Sequence, residues 1–357
     1  MKRSRNIVSV DKVRYRVKVA DEGTPPPRRV TLADVANRAG VSPALASIVV
    51  RGAPGASASS RQRVLAVAAK LGYRPDVRAR SLASLKPQLI GVLFGKAGRF
   101  HFDLLDGLYS AAETRGWDLV LSALTDNRDE RRALQSLQDF HCDALVMLGP
   151  PVTTPQMAGR MPLVVMGWHV DHPDVDIVRT SDDHGMALAV EHLVGLGHRR
   201  IAHLGGGSGV VAASRRDGYE RAMQSHGLDG ETRIVPCDGE DQLDGQRATR
   251  AMLEDPAGLP SALVAFNDDV AAAAMSVLAL RGIRVPADVS IIGVDDGPLA
   301  SSSSIDLTTV QQLPREMARL AVERIVARTA GSKVSSREIV LEPTLHIRSS
   351  TGPAASR

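Results

Sequence analysis

Four short apolar runs in this chain end on residues that can hydrogen-bond a small polar molecule. The run ending at Phe94 leads to Phe100, His101 and Phe102, and the one ending at Leu204 leads to Gly205-Gly206-Gly207 and then Arg215. The run ending at Ala265 leads to Asn267 and Asp268, and the one ending at Val294 leads to Asp295 and Asp296. A guanidinium fork and an amide donate, carboxylates accept, and rings cover an apolar face, which together suits a small polyhydroxylated ligand. The rings carry weight because aromatic residues make up only 3% of the chain. No acid/base or nucleophile pair is found, so these residues read as a binding set, with no catalytic residue and no enzyme activity.

Neighbouring residues have plainer readings. The Gly205–Gly209 run lacks the Lys-Ser/Thr ending of a P-loop and the spacing of a dinucleotide fingerprint. His198, in GHRR between a helix-ending Gly197 and a strand, reads as structural or surface. Adjacent carboxylates point different ways, so Asp295-Asp296 reads as one ligand contact and one structural contact rather than a metal site. Arg215 has a surface ion pair as its lesser, plainer reading. Cys142 and Cys237 are far apart, with no Cys or His at metal-ligand spacing, and read as small apolar residues. No metal or cofactor is assigned.

The elements that must position the binding set alternate in type. Strand-like apolar runs at 89–94, 119–122, 144–148, 163–167, 201–204, 234–236, 262–265 and 289–294 are separated by helix-length segments at 104–115, 127–139, 183–196, 212–226, 243–254 and 268–281. That alternation predicts an α/β fold of βαβ units with parallel sheets, as one large sheet, a barrel or two doubly wound lobes. In open parallel sheets ligands lie beyond the carboxyl ends of the strands, where these residues stand.

Ahead of this body the texture differs. Thr31 with Asp34 three residues on predicts a capping box, and Gly40 a helix stop. Ser42 and Pro43 suit the cap and first position of a second helix running to Val50. Such a pair joined by a short turn is a helix-turn-helix, whose second helix enters the DNA major groove. A third helix follows, capped at Ser57 or Ser60, with Val64, Val67, Ala68 and Leu71 at helical spacing and Gly72 at its end. Between Arg28 and Lys86 stand eleven Lys or Arg against Asp34 and Asp76 alone, a net +9, while the first 27 residues carry +4 and the remaining chain −9. A basic head on an acidic body is the footprint of a protein that holds phosphate at one end. Residues 76–83, with Arg78, Arg80 and Leu82, are too few to be helical alone. They read as a linker that orders on DNA and sets Leu82 as a wedge in the minor groove.

At 357 residues the chain suggests two or three domains. Residues 1–29 read as a disordered basic tail without the apolar core of a secretory signal. No apolar run approaches a membrane span, and the expected location is the cytoplasm.

The stretches VTLADVANRAGVS and SSRQRVLAVAAKLGYRPDVRARSLAS resemble the DNA-binding head and hinge of the lactose-repressor (LacI) family of bacterial transcription regulators. The resemblance continues in AVEHLVGLGHRRIAHLGG, RRDGYERAM, AFNDDVAAAAMSVLALRGIRVPADVSIIGVDD and LTTVQQLPREMARLAVERI, and covers about residues 30–348. It implies a two-lobed effector domain like periplasmic sugar-binding proteins, with the chain crossing between lobes near Leu196 and again within 304–314. It further implies a homodimer on a pseudo-palindromic double-stranded DNA operator, and a small effector, a sugar. The effector-contacting set falls on Arg215, Asn267, Asp295 and Gln312, with His184, Phe100 and Phe102 as weaker additions.

The chain also departs from the family. The positions of the second helix that read bases are Pro43, Ala44 and Ile48, with Leu45 where a small polar residue is common, so apolar contacts to thymine methyls replace bidentate readout. Positioning then falls on Thr31, Ser42, Ser47, Ser57, Ser60, Arg61 and Tyr73 at phosphates, with Arg51 as the polar base reader. Residues 239–244, where the family often places a stacking ring, hold none, and TGPAASR carries no heptad for tetramer formation. The reading is a ligand-responsive DNA-binding repressor: tail 1–29, headpiece 30–75, hinge 76–88, effector and dimerisation body 89–348, tail 349–357. The alternative, a solute-binding protein of sugar uptake, explains the body and leaves the basic head unexplained.

Overall fold

The computed structural model describes residues 30–50, 52–73, 88–95, 98–125, 127–149, 161–332, 334 and 336–355. The tail 1–29, most of the expected hinge, Arg51, Arg78 and Leu82 lie outside the described residues. The chain divides into two compact units, one ending at Leu85 and the other beginning at Lys86.

The first unit holds three helices: α1 (Leu32–Ala39), α2 (Pro43–Val50) and α3 (Ala58–Leu71). Thr31 and Asp34 form the reciprocal capping box: Asp34 N donates to Thr31 Oγ1 at 3.3 Å and Thr31 N to Asp34 Oδ2 at 2.7 Å. Gly40 takes the left-handed conformation at φ 63°, which a residue with a Cβ reaches only under strain, and so turns the chain sharply into α2. The Ser42 hydroxyl accepts from Leu45 N at 3.2 Å, and that of Ser57 from Ser60 N at 3.2 Å. The core is built from Val35, Ala36, Ala39, Ala46, Val49, Val64 and Ala68. With side chains this small it buries little apolar area, so its margin of stability is thin.

The second unit is α/β, with two six-stranded sheets. The first lobe comprises β1 (Leu89–Phe94), α4 (Arg99–Thr114), β2 (Asp118–Ala123), α5 (Glu130–Asp139), β3 (Ala144–Leu148), β4 (Leu163–Met166) and β5 (Asp176–Thr180), and later receives α10 (Pro314–Thr329) and β11 (Glu338–Leu341). Its strands run in the order β11-β5-β4-β3-β1-β2, all parallel. The second lobe comprises α6 (Asp182–Gly195), β6 (Ile201–Leu204), α7 (Val210–Ser225), β7 (Arg233–Val235), α8 (Gln242–Glu254), β8 (Ala262–Ala265), α9 (Asp268–Leu280), β9 (Ser290–Asp295), β10 (Thr308–Gln311) and β12 (Thr344–His346). Its order is β12-β10-β9-β8-β6-β7, parallel except for β12 against β10. The inner strands β3, β4, β6 and β8 are buried along their whole length, as a sheet covered by helices on both faces requires.

Two expectations need correction. The first crossing between lobes is at Ser181, between β5 and α6, and not near Leu196. Strand β5 reads DIVRT, short and polar at both ends, and is hard to see without its parallel partners β4 and β11. A second crossing follows β10, inside the expected 304–314 region, and a third joins β11 to β12. Residues 349–355 are docked on the second lobe rather than a free tail: Ser350 Oγ donates to Ile291 O at 2.6 Å and Ala354 N to Leu196 O at 2.9 Å. Their anchors are polar and remote in sequence, so no apolar pattern marks the segment.

Candidate functional site

On the head, α2 buries Ala46 and Val49 against its neighbours and turns Pro43 and Ala44 to solvent, with Leu45, Ser47 and Ile48 partly exposed. The helix therefore presents a smooth, largely apolar outer face. Thr31 and Ser57 are occupied as caps. Arg61 donates from Nη2 to Ala53 O at 2.9 Å, holding the loop before α3 and leaving part of its five-donor fork for another acceptor. Ser60 and Tyr73 are partly buried near the two ends of α3.

In the body, Arg215 is the centre of a built constellation. It is carried by α7 with its side chain 5% exposed, and Nε donates to Asp182 Oδ1 at 3.0 Å. Nη1 donates to Phe266 O at 2.5 Å, and the guanidinium lies over the Phe266 ring, 4.6 Å from its centroid. A Cβ on Gly206 would stand 2.1 Å from that ring, so the glycine turn after β6 serves close approach to Phe266 and not a phosphate. Asp295 ends β9 at φ 125°, a strained conformation for a residue with a side chain. Its Oδ1 accepts from Gln312 Nε2 at 2.5 Å and stands 4.0 Å from Arg215 Nη2. Burial pushes the Asp295 carboxyl up to about 7, against the pull of Arg215 and of the Gln312 hydrogen bond. Behind it, Asp268 accepts from Thr309 Oγ1 at 2.5 Å and from Gly297 N at 3.0 Å, and burial, then the Asp295 charge, raise its carboxyl well above the ordinary range.

Asn267 caps α9, its Oδ1 accepting from Val270 N at 2.8 Å while Nδ2 donates to Glu240 O at 3.0 Å. Its amide thus fixes the wall of the site. From the first lobe, Arg99, Phe100 and Asp103 face Asp268, Asp269, Asp295 and Leu299 across a cleft at the carboxyl ends of both sheets.

Of the expected residues, Arg215, Asp295, Gln312, Asn267 and Phe100 come together. Two do not. Phe102 is 63% exposed, because two positions along a helix is more than half a turn away from Phe100. His184 is in the first turn of α6, where Nδ1 pairs with Glu342 beside the third crossing, on the surface. Asp182 and Phe266, the two residues that hold Arg215, went unnoticed in the sequence. The signal that marks both is position just after a strand: Asp182 after β5 and Phe266 after β8. Among the described residues no helix is long and apolar enough to cross a membrane.

Two family models match: bacterial regulatory proteins, lacI family, over residues 31–76, and a periplasmic binding protein-like domain over 190–351. The chain is 38% identical to a LacI transcriptional regulator from a Rhodococcus species, covering that whole chain with 75% of its own at a TM-score of 0.71. It is 29% identical to the lac repressor dimer bound to operator and anti-inducer, covering all of that chain with 91% of its own at a TM-score of 0.79. The ribose operon repressor of Haemophilus influenzae is 29% identical over 328 residues, 90% of this chain and 98% of that protein. The basic head matches along with the body, which sets aside the solute-binding alternative. The chain belongs to the lacI family of bacterial regulatory proteins and is a ligand-responsive, DNA-binding transcription regulator.

Proposed function

We propose that the protein represses transcription as a homodimer on a pseudo-palindromic operator and that a sugar bound between the lobes of the body switches it. The observation that carries the sugar reading is the constellation of Arg215, Asp295 and Gln312, a planar donor fork, a carboxylate and an amide, of which Asp295 lines one small cleft together with the Phe100 ring. Hydroxyl groups donate and accept at once, and such a set satisfies both roles. Phe102 and Tyr109, both exposed and seven residues apart on α4, share a face suited to a partner subunit.

On the head, the exposed face of α2 lies against bases, Ser42, Ser47, Ser60, Arg61 and Tyr73 hold phosphates, and Arg51 adds a polar base contact. Thr31 and Ser57 shape the helix ends that approach the backbone. Arg78 and Leu82 engage the minor groove. Effector binding changes the closure of the lobes, and closure permits or prevents ordering of the paired hinges on DNA. Coupling of this kind is worth about 1–3 kcal/mol and is reciprocal, so operator must change effector affinity by the same factor.

The test is a mobility shift with the protein and the DNA upstream of its own gene, with and without sugars. Specific retardation relieved or enhanced by one sugar supports the reading, and indifference to every sugar removes the effector assignment. Leu82→Ala should weaken specific binding about tenfold, the value of roughly 1.4 kcal/mol, while sparing effector affinity; unchanged specific binding would remove the wedge.

A further inference from the structure

Nothing in type or spacing marks Thr180, the last residue of β5 before the chain first crosses between lobes. Its hydroxyl is buried and donates to Gln312 O at 2.7 Å, with Met317 Sδ of α10 at 3.6 Å from the same oxygen. Gln312 belongs to the second crossing, between β10 and α10, and is itself 6% exposed. Its side-chain amide reaches the second lobe, where Nε2 donates to Asp295 Oδ1 at 2.5 Å. One buried residue thus joins the carboxylate at the end of β9 to the strand end of the first lobe.

Both ends of this connection are held. On the second lobe Asp295 and Asp296 take φ of 125° and 54°, and the neighbouring Gln311 Nε2 donates to Asp296 Oδ2 at 3.1 Å. Arg348 Nη2 at 2.6 Å and His346 Nδ1 at 2.7 Å fix Asp296 further. Backbone in such conformations keeps its shape only where the surroundings over-determine it. On the first lobe Ser181 N donates to Leu341 O, at the end of β11, at 3.0 Å, so Thr180 acts from a segment that is itself tied. Leu313, at φ 58°, turns the chain into α10, where Met317 N donates to Leu313 O at 3.0 Å. The junction is buried, so a Gln312 carbonyl deprived of the hydroxyl bears a desolvation cost that bulk water does not cancel.

Resting on the sugar reading of the cleft, we propose that Thr180 is a positioning residue: by pinning the carbonyl of Gln312 it makes a change at Asp295 move the crossings between the lobes, and so ties effector occupancy to operator binding. A ligand hydroxyl that takes Asp295 Oδ1 competes with the Gln312 amide. With its carbonyl pinned, Gln312 answers by shifting together with Thr180 and the start of α10; with its carbonyl free, it answers by rotating within its own segment. Effector affinity then survives loss of the hydroxyl, and the response of DNA binding does not. An effector shifts an equilibrium only by its differential interaction with the two states, and here the brace carries that difference.

The test compares the full-length wild type with Thr180→Val, which keeps the shape and loses the donor, and with Thr180→Ser, which restores it. Amide exchange read by mass spectrometry needs no sugar: segments 176–184 and 311–320 should exchange about tenfold faster in Thr180→Val, with 144–148 and 262–265 unchanged and Thr180→Ser like the wild type. Glucose, galactose and mannose are then titrated calorimetrically with and without the DNA upstream of the gene. For a sugar that binds, that DNA should change wild-type affinity by about fivefold or more, whereas Thr180→Val should bind the sugar alone within about threefold of wild type and show a DNA effect below about twofold. Thr180→Ser should recover the effect. Equal exchange in Thr180→Val and wild type, equal acceleration of all four segments, or a DNA effect kept intact without the hydroxyl overturns the inference and leaves the sugar reading standing. Silence from all three sugars overturns the sugar reading, and the exchange result then decides the brace alone.

Discussion

Arg215 Nη2 and Asp295 Oδ1 face each other 4.0 Å apart, beyond hydrogen-bond reach, while each is held by a different partner, Asp182 for the arginine and Gln312 for the carboxylate. A hydroxyl placed between them accepts from one and donates to the other at ordinary distances. Arg215→Lys keeps the charge and loses the fork. It should weaken effector binding tenfold or more by titration calorimetry, with DNA binding in the absence of effector retained. Arg215→Ala should also lower the melting temperature, because Asp182 is left buried without its partner at a cost of about 3–5 kcal/mol.

The raised Asp295 carboxyl makes effector binding depend on pH. With its carboxyl near 7, the acceptor form is minor below that pH and dominant above it. A carboxylate accepts more strongly than a carboxylic acid, so affinity should rise between pH 6 and pH 8 and then level off. Binding near pH 7 should release protons, seen as a buffer-dependent heat. Asp295→Asn should flatten the profile; an unchanged slope in that variant would place the titrating group elsewhere.

Two buried groups of the body pull its stability in opposite directions over one pH range. His203, stacked on Tyr219 with Nδ1 at 2.9 Å from Val264 O, is held down to about 4 by burial. Its folded value is below the unfolded one, so its contribution is present above pH 6.5 and lost as pH falls towards 4, by about 3 kcal/mol. Asp295 is raised, so the folded state holds its proton longer than the unfolded state, and stability falls as pH rises from about 4 to 7. Removing Asp295 should therefore steepen acid destabilisation: the melting temperature of Asp295→Asn should drop further than that of the wild type between pH 6.5 and pH 4. Burial also lowers His192 and His198, which act in the same direction as His203.

In the first lobe, Arg328 clasps the buried Asp176 through two hydrogen bonds of 2.8 Å, tying the start of β5 to the end of α10. Arg328→Ala leaves Asp176 with Arg324 at 3.9 Å as its nearest cation. The expected loss is about 3 kcal/mol in urea unfolding. Arg328→Lys should recover only part of it, because an ammonium cannot reproduce the two-pronged geometry.

On the head, Thr31→Ala breaks the capping box at a cost of about 1 kcal/mol. In a three-helix unit with so small a core this should be visible as weaker operator binding at 37 °C and recovery on cooling. The basic stretch should also make operator affinity fall steeply with salt, as the slope of log K against log salt in mobility shifts reports. A flat salt dependence would mean that the cations of the head do not meet phosphates.

What the sequence determined by itself is local. Thr31 with Asp34, Gly40, Ser42 with Pro43, and Ser57 with Gly72 specify three helices and their turns, because caps and left-handed glycines act within a few residues. The buried strands 89–94, 144–148, 201–204 and 262–265 were equally legible, since a strand covered on both faces must be apolar throughout. So were Arg215, Asn267 and Asp295, each at the end of such a strand or on the helix after it.

Tertiary structure alone decided the rest. Strands β5, β10, β11 and β12 are short, mixed in polarity, and defined by partners on a folded sheet; β11 pairs with β5 across some 160 residues of chain. The docking of Ser350 on Ile291 and the hub of His198 between Ser261, Ser290 and Gly352 depend on hydrogen bonds with no periodicity to betray them. Whether Phe100 or Phe102 faces the cleft is set by how two lobes close on each other. Propensity and periodicity act over one element at a time, whereas a cleft exists only once distant strand ends have been brought face to face.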